Sequence, residues 1–395
     1  MKILVINCGS SSCKYQLFET ATSEVLAKGL CDRIGIDGVF KYSAGDYVSE
    51  VEIDLPDHKV AVQTVLNALV DSEHGVLADI SEIAAVGHRV LHAGKYYSQS
   101  VVVNEDVKKV IRDCFDLGPL HNPPNLIGIE ACEAVLPEGT PQVAVFDTAF
   151  HQTMPPKAYM YALPYDLIEK YDIRRYGFHG TSHRYVSRRA ADFLGVKYED
   201  IKTVTCHLGN GSSFAAVKNG KCVDTSMGLT PLAGICMGTR CGDIDPAIVG
   251  ILMQRENLSP AEIDTLLNKK SGVKGFSGVS SDFRDLEKAS REGNERATLA
   301  LEMFEYQAKK IVGSYAAAME GVDVIVFTAG IGENTDYIRA AICEGLEFMG
   351  VKIDPAKNNG TRTEAIISAD DSKVKVVVIP TNEELAIAQE TEALV

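Results

Sequence analysis

Basic residues are in short supply. The 395-residue chain carries 39 Lys and Arg against 54 Asp and Glu, a formal net charge of −15. Nucleic acids and anionic membrane surfaces demand a basic face, so neither is an expected partner. Long apolar runs are also missing: no stretch of about 18 apolar residues is available to span a bilayer. Only Lys2 precedes the first apolar run, and Ile3–Ile6 is too short for a signal-peptide core. The ten cysteines include no C-x-x-C pair, which excludes the usual zinc and dithiol redox sites. Most lie in apolar runs, as in Val204-Thr205-Cys206, and are expected to be buried, reduced thiols. The common nucleotide signatures are absent as well: no P-loop, no complete G-x-G-x-x-G, and no kinase H-R-D with D-F-G. The expectation is a soluble, cytoplasmic protein.

Hydrophobic residues at 46% and charged residues at 24% describe a globular chain, and its length suits two domains. Short β-branched runs at Ile3–Ile6, Val143–Phe146, Thr203–Cys206, Val324–Phe327 and Val374–Ile379 predict buried strands. Amphipathic patterns predict helices over Val60–Val70, Asn125–Val135, Pro246–Arg255 (with Asp245 as its cap) and from about Arg291 to Met319. The mixture gives an α/β class. A weak internal echo adds organisation. Ile3–Asn7 leads into Cys8-Gly9-Ser10-Ser11-Ser12 and a strand through Phe18; Val204–Leu208 leads into Gly209-Asn210-Gly211-Ser212-Ser213 and a strand through Val217. Two halves that each open on such a hairpin imply a duplicated architecture.

Charge is uneven. Residues 1–150 hold 11 basic and 21 acidic side chains. The rest contains a basic cluster, Lys170, Arg174, Arg175, Arg184, Arg188 and Arg189, interleaved with His179 and His183. Arg188 and Arg189 read as a solvated helix face. The segment Arg175-Tyr176-Gly177-Phe178-His179-Gly180 reads as a tight turn presenting His179.

Three Gly-rich turns follow strands directly: Gly9–Ser12, Gly209–Ser213 and Gly330–Asn334. Glycine lets backbone amides close on an anion and serine hydroxyls add donors, so a phosphate cradle is expected. Arg89 and Arg240 sit in apolar or glycine-rich surroundings, where a guanidinium needs an anionic partner. Asp243 and Asp245 are the protein-side candidates for Arg240. Asp147 ends an apolar strand, where α/β proteins place their sites, although a turn cap is equally compatible. Asn7 ends the first strand; Lys14, on the face opposite Cys13, Tyr15 and Leu17, reads on spacing alone as an exposed lysine. Thr381 and Glu384 have capping-box spacing, which leaves Glu383 free to hold a cation.

These segments, with Gly87-His88-Arg89-Val90, His121-Asn122-Pro123-Pro124 and Phe146–His151, resemble the acetokinase family, in order and from end to end. The resemblance implies two duplicated actin-like (ribonuclease H-like) α/β domains, residues 1–150 joined by a C-terminal helix of about 384–395, and residues 151–383, with a nucleotide cleft between them. It implies a homodimer and reversible, Mg²⁺-dependent transfer of the ATP γ-phosphoryl group to acetate, with Mn²⁺ as an alternative metal. Residue by residue, Asn7 and Glu383 resemble the metal partners, and Lys14, Ser10 and Ser12 the phosphate contacts. Arg89 resembles the carboxylate-binding arginine, and Leu91, Leu120, Phe178 and Pro231 the acyl pocket. Asp147, His179 and Arg240 resemble the catalytic group. His207, Leu208, Gly209, Asn210 and Gly211, then Asp282, Phe283 and Arg284, then Gly330, Ile331, Gly332, Glu333 and Asn334 resemble the nucleotide loops. Cys8, Cys13, Ala93 and Leu91 depart from the usual pattern, so the acyl-chain preference is open. Another short-chain acid such as propionate, or a non-catalytic nucleotide-binding protein of the same fold, are the alternatives.

Overall fold

A computed structural model describes residues 1–395 and divides them into two compact units, Met1–Gln152 with Asn382–Val395, and Thr153–Thr381. The first unit is built on an eight-stranded sheet. Its strands are β1 (Lys2–Cys8), β2 (Ser12–Glu19), β3 (Glu24–Asp32), β4 (Val39–Ala44), β5 (Tyr47–Glu52), β6 (Ala85–Val90), β7 (Val101–Val102) and β8 (Gln142–Phe146). Their order is β5-β4-β3-β2-β1-β6-β8-β7. The second unit has β9 (Lys202–Leu208), β10 (Ser212–Lys218), β11 (Lys221–Thr225), β12 (Val324–Thr328), β13 (Ala365–Ile366) and β14 (Lys375–Val378). Their order is β11-β10-β9-β12-β14-β13.

The duplication expected from the echo is explicit here. In β3-β2-β1-β6-β8 the first three strands are antiparallel neighbours and the last two run parallel to β1. The set β11-β10-β9-β12-β14 repeats both the order and the senses. Each unit thus has three adjacent parallel strands whose carboxyl ends lie side by side, the place where open α/β sheets put their sites.

Local sequence explains the elements. The predicted strands are all present, and they are central ones, buried along both faces. In β2, Cys13, Tyr15 and Leu17 face the core while Lys14 is exposed, as the two-residue period requires. The helix His58–Leu69 starts at Asp57, whose carboxylate accepts from the Val60 N–H at 2.8 Å, and it buries Ala61, Val62, Val65, Leu66 and Leu69. The helix Asn122–Val135 begins with its two prolines in the first turn, where no N–H is needed. Asp245 caps as expected, accepting from the Ala247 N–H at 2.9 Å, with the helix spanning Ala247–Arg255. All ten cysteines are free, nine of them buried and Cys241 partly so.

The long helix expected from about Arg291 to Met319 is Glu295–Ala318; it starts later because Gly293 takes a left-handed φ of 91° and Asn294 caps it, separating it from the helix Phe283–Arg291. One expectation is corrected. At the C-terminal helix Glu383–Glu392 the cap is Asn382, accepting from the Leu385 N–H at 3.0 Å. Thr381 instead shares a hydrogen bond with the Ser182 hydroxyl at 2.8 Å, and Glu384 pairs with Lys14. The capping-box spacing is real, but a better short-range acceptor one residue later wins.

The helix Glu383–Glu392 packs across β1, β6 and β8. Gly87 permits this: a Cβ there would run into the Thr391 hydroxyl and sit 2.7 Å from Ile387 Cγ2. Gly87→Ala is therefore expected to cost about 1–3 kcal/mol by overpacking, read as a lower urea midpoint; an unchanged midpoint would refute the close approach. Its neighbour His88 is fully buried, donates through Nε2 to Gln142 Oε1 at 2.6 Å, and is pushed down to about 4 by burial. A depressed histidine contributes stability that is complete above the unfolded value of about 6.5 and is lost as pH falls toward 4, about 3 kcal/mol in all. Urea midpoints should fall across that window in the wild type and fall less steeply in His88→Gln.

Candidate active site

In the first unit, Asn7, Arg89 and Asp147 lie at the carboxyl ends of the adjacent parallel strands β1, β6 and β8. Lys14 is brought beside Asn7 by the hairpin, being its direct cross-strand partner. Register sets the central contact. β6 and β8 pair Arg89 with Val145, and the Asp147 N–H donates to the Val90 carbonyl at 3.0 Å. The two side chains then meet, Arg89 Nη2 to Asp147 Oδ2 at 2.5 Å. Asp147 is 1% exposed. Its charge is the main cause that pushes the Arg89 guanidinium up, against the opposing effect of burial.

Arg89 is not used up by this pair, since its buried Nε has no partner. Helix Glu383–Glu392 adds two more carboxylates from its first turn, Glu383 and Glu384. Burial, then the Asp147 charge, push the Glu383 carboxyl up, while Arg89 pulls it down. Three carboxylates thus face two cations, Arg89 and Lys14, the latter committed to Glu384. That surplus of negative charge fits a hard cation. One or two carboxylates plus an amide oxygen, completed by water and phosphate, is the donor set Mg²⁺ takes.

The hairpin turn Gly9–Ser12 is tied by the Gly9 N–H to the Ser12 carbonyl at 2.8 Å, and His58 Nε2 holds the Gly9 carbonyl at 2.8 Å. Leu91 is buried at 5% exposure and Leu120 is 70% exposed.

In the second unit, His179 sits at a left-handed φ of 57° immediately before the helix Gly180–Leu194. Its Nδ1 is hydrogen-bonded to Ser213 Oγ at 2.8 Å and its ring stacks on His207, 4.1 Å between centroids. Ser213 in turn meets His183, which meets Thr205; His207 meets Ser182. This network fixes the His179 ring. Gly211 shows where the ring points: a Cβ there would be 3.7 Å from His179 Nε2 and 3.2 Å from Arg240 Nη1. The glycine leaves the space that both side chains border.

Arg240 has neither of the expected aspartates. Asp243 accepts from the Gly234 N–H at 2.9 Å and Asp245 caps its helix. Arg240 Nη1 donates to the Pro231 carbonyl at 3.2 Å and leans on Met237 Sδ at 3.7 Å, with no carboxylate in reach. Burial pushes its guanidinium down. A largely buried cation without a counter-charge is costly unless an anion completes it.

The basic cluster near His179 serves structure instead. Arg174 stacks on Tyr159 at 3.6 Å; Arg175 donates to the carbonyls of Thr225, Ser226 and Met227. Arg188 and Arg189 are exposed on the helix, as expected; Arg189 forks onto Glu364, both bonds 2.7 Å, and Arg188 lies over Tyr198.

A cavity of about 770 Å³ in the second unit gathers residues of the three segments that the family resemblance assigns to nucleotide. Gly209, Asn210, Asp282, Phe283, Arg284, Gly330, Ile331 and Asn334 line it. Glu333 turns away, its carboxylate accepting from the Ala329 N–H at 2.7 Å and the Thr381 N–H at 3.0 Å. Sequence reasoning missed Asp336, Tyr337, Gly360 and Arg362 on the same wall. Only Asn359-Gly360 carried a signal, as a turn dipeptide. Buried Arg339 supports that wall, with all five N–H groups bonded to Gly332, Glu333, Asn358 and Thr361.

Known proteins match this arrangement over its full length. The chain is 60% identical to the acetate kinase of Thermoanaerobacterium thermosaccharolyticum, covering 100% of this chain and 99% of that one. It is 59% identical to the acetate kinase of Methanosarcina barkeri, covering 100% and 97%. Among solved structures, an acetate kinase from Porphyromonas gingivalis superposes with a TM-score of 0.97 at 50% identity, covering 100% and 99%. A propionate kinase from Francisella tularensis superposes at 0.91 with 43% identity, covering both chains fully. The match to the acetokinase family itself spans residues 2–389, and the chain belongs to that family.

Proposed function

We propose that this chain is an acetate kinase, reversibly moving the γ-phosphoryl group of ATP to acetate to give acetyl phosphate and ADP. The observation that carries the reading is Arg240, a largely buried arginine with no carboxylate, bordering the same space as His179. Such a pair suits a transferring phosphoryl group, whose charge spreads over three equatorial oxygens in the transition state.

The work divides by unit. Residues 1–152 with 382–395 act on acetate and metal; residues 153–381 hold the nucleotide. Acetate is already ionised, so no strong base is needed. Arg89 offers its unpartnered Nε to the acetate carboxylate, and Asp147 holds the guanidinium in place rather than taking a proton. The resemblance assigns the acyl methyl group to Leu91 and Leu120 of the first unit and to Phe178 and Pro231 of the second. His179, locked through Nδ1, offers its Nε2 edge to the phosphoryl oxygens beside Arg240. Gly209, Asn210 and the loops at Asp282–Arg284 and Gly330–Asn334 enclose the nucleotide. Lys14, Ser10 and Ser12 address the phosphates, which requires Lys14 to exchange Glu384 for phosphate.

Asn7 and Glu383 hold Mg²⁺, which Mn²⁺ can replace. The cation supplies neutralisation of phosphate charge. Glu383, whose carboxyl is pushed up by burial and Asp147, gains a compensating charge when it binds.

We also propose a homodimer. The helix Ala247–Arg255 has the apolar sequence AIVGILM at its start, yet none of its residues is buried within the single chain, and Ile248 and Ile251 are exposed. A second copy is the cover that such a helix needs. No helix is long and apolar enough to cross a membrane. A substrate pair of ATP and acetate, with ten unpaired cysteines, fits the cytoplasm.

The 43% identity to a propionate kinase keeps propionate as a second acceptor, because one methylene is worth only about 1–3 kcal/mol in an apolar pocket. Incubation with ATP, Mg²⁺, hydroxylamine and each acid should give hydroxamate from acetate. Propionate or butyrate giving product while acetate gives none would change the acceptor, and no product from any acid would leave a nucleotide-binding protein. Arg240→Ala should lower kcat by about 10³–10⁵ with little change in ATP affinity; near-normal turnover would sink its assignment.

A further inference from the structure

The parallel ladder between β1 and β6 ends at Ile6 and His88. Beyond it lie the residues that matter to each strand end: Asn7 and Cys8 on one side, Arg89, Val90 and Leu91 on the other. The backbones there are joined by a side chain. Asn125, 4% exposed, accepts from the Leu91 N–H through Oδ1 at 3.0 Å and donates from Nδ2 to the Cys8 carbonyl at 2.8 Å. One carboxamide thus takes the N–H of one strand end and the C=O of the other, the donor and acceptor that a ladder rung would join directly. The interposed amide holds the two ends apart at a fixed spacing.

The helix Asn122–Val135 can deliver this amide because it approaches β1 closely at Gly128. A Cβ on Gly128 would lie 2.6 Å from Cys8 Sγ. Asn122, fully buried one turn earlier, fixes the next residue of the same loop. Its Oδ1 accepts from the His92 N–H at 3.0 Å, and its Nδ2 donates to the His92 carbonyl at 2.9 Å and the Ile111 carbonyl at 3.1 Å. With Leu91–His92 held on that side by Asn122, the Asn125 amide bridges the gap to Cys8 beyond the last rung of the ladder.

We propose that Asn125 is a positioning residue that fixes the distance between the metal-side strand end, Asn7–Cys8, and the acetate-side strand end, Arg89–Leu91. The inference rests on the reading above that Asn7 serves the metal and Arg89 and Leu91 serve the acyl substrate. Asn125 touches no reactant; it acts through two backbone segments. A shift of about 1 Å in such a spacing is enough to lower turnover by about 10²-fold.

The test uses the full chain with acetate, propionate and ATP varied separately. In Asn125→Ala, kcat should fall about 10–100-fold and KM for acetate should rise. The equilibrium affinity for ATP should stay within about twofold, because its cavity is lined by the second unit. Asn125→Gln keeps the amide and lengthens it by one methylene, so the propionate-to-acetate ratio of kcat/KM should move while the protein stays folded. A merely structural asparagine would lower the urea midpoint and leave kcat, KM and that ratio unchanged in the folded fraction. Unchanged acetate kinetics in folded Asn125→Ala would overturn the proposal, as would equal losses toward acetate and ATP. If Asn125→Ala does not fold, Asn125→Gln with wild-type kinetics and acyl ratio overturns it equally. Failure of the wild type to form any acyl phosphate is a different result, and it refutes the function rather than the spacing.

Discussion

The ion pair between Arg89 and Asp147 organises the first unit. It exists because β6 and β8 run parallel in one register, so that residues ending the two strands meet side by side. A carboxylate as buried as Asp147 is tolerable only with such a partner. The pairing orients the guanidinium and leaves one of its N–H groups unsatisfied, which is the vacancy a carboxylate substrate can fill. The same Asp147 charge reaches Glu383, on a helix close enough to feel it because Gly87 has no side chain. Strand register, one glycine and one helix start therefore produce a cluster with spare donor capacity toward an acid and spare negative charge toward a cation.

The second unit solves the opposite problem with the same topology. Its strands β9 and β10 repeat the hairpin of β1 and β2, and the turn again carries glycines where close approach is needed. Here no carboxylate was placed beside the arginine. Arg240 is held by a carbonyl and a thioether, both weak partners for a full charge. On the proposed roles the contrast has a use: an arginine that orients a substrate can be paired permanently, whereas one that stabilises a transient anion must keep its charge available. A duplicated scaffold thus diverged at the strand ends while the sheets stayed alike.

Legibility in the sequence followed the range of the forces involved. The buried strands, the hairpin echo, the Asp245 cap and the Gly-rich turns at Gly9–Ser12 and Gly209–Ser213 are local, and they read correctly from residue pattern; the expected turn at Gly330–Asn334 is instead the short helix Ala329–Asn334. Lys14 read on spacing as an exposed edge lysine, and in the fold it is half exposed and bound to Glu384, 370 residues away. No local pattern encodes that. The capping box at Thr381 failed for a related reason: Asn382 caps the helix one residue later by accepting from the Leu385 N–H, and tertiary partners claimed Thr381 and Glu384. The arginines near His179 read as a basic cluster because sequence shows charge but not stacking. Tyr159, Tyr198, Glu364 and three backbone carbonyls absorb them.

That redistribution changes the meaning of the net charge of −15. The chain must gather anionic ligands while being an anion, and a general basic surface is not how it does so. Arg174, Arg175, Arg188 and Arg189 are committed to tyrosines, carbonyls and a glutamate, so they add little attraction that a ligand could use. What remains is a small number of partly buried cations with capacity to spare, Arg89 with an unpartnered Nε and Arg240 with no carboxylate partner. A charge in such a place acts over a short distance and is poorly screened, whereas surface charges beyond about 8–10 Å are damped by salt. Selectivity for a bound anion can therefore coexist with an acidic exterior, because the two are governed by different distances. The same reasoning explains why the first unit can hold three carboxylates beside Arg89: their excess is local, and a single divalent cation is sufficient to reverse it.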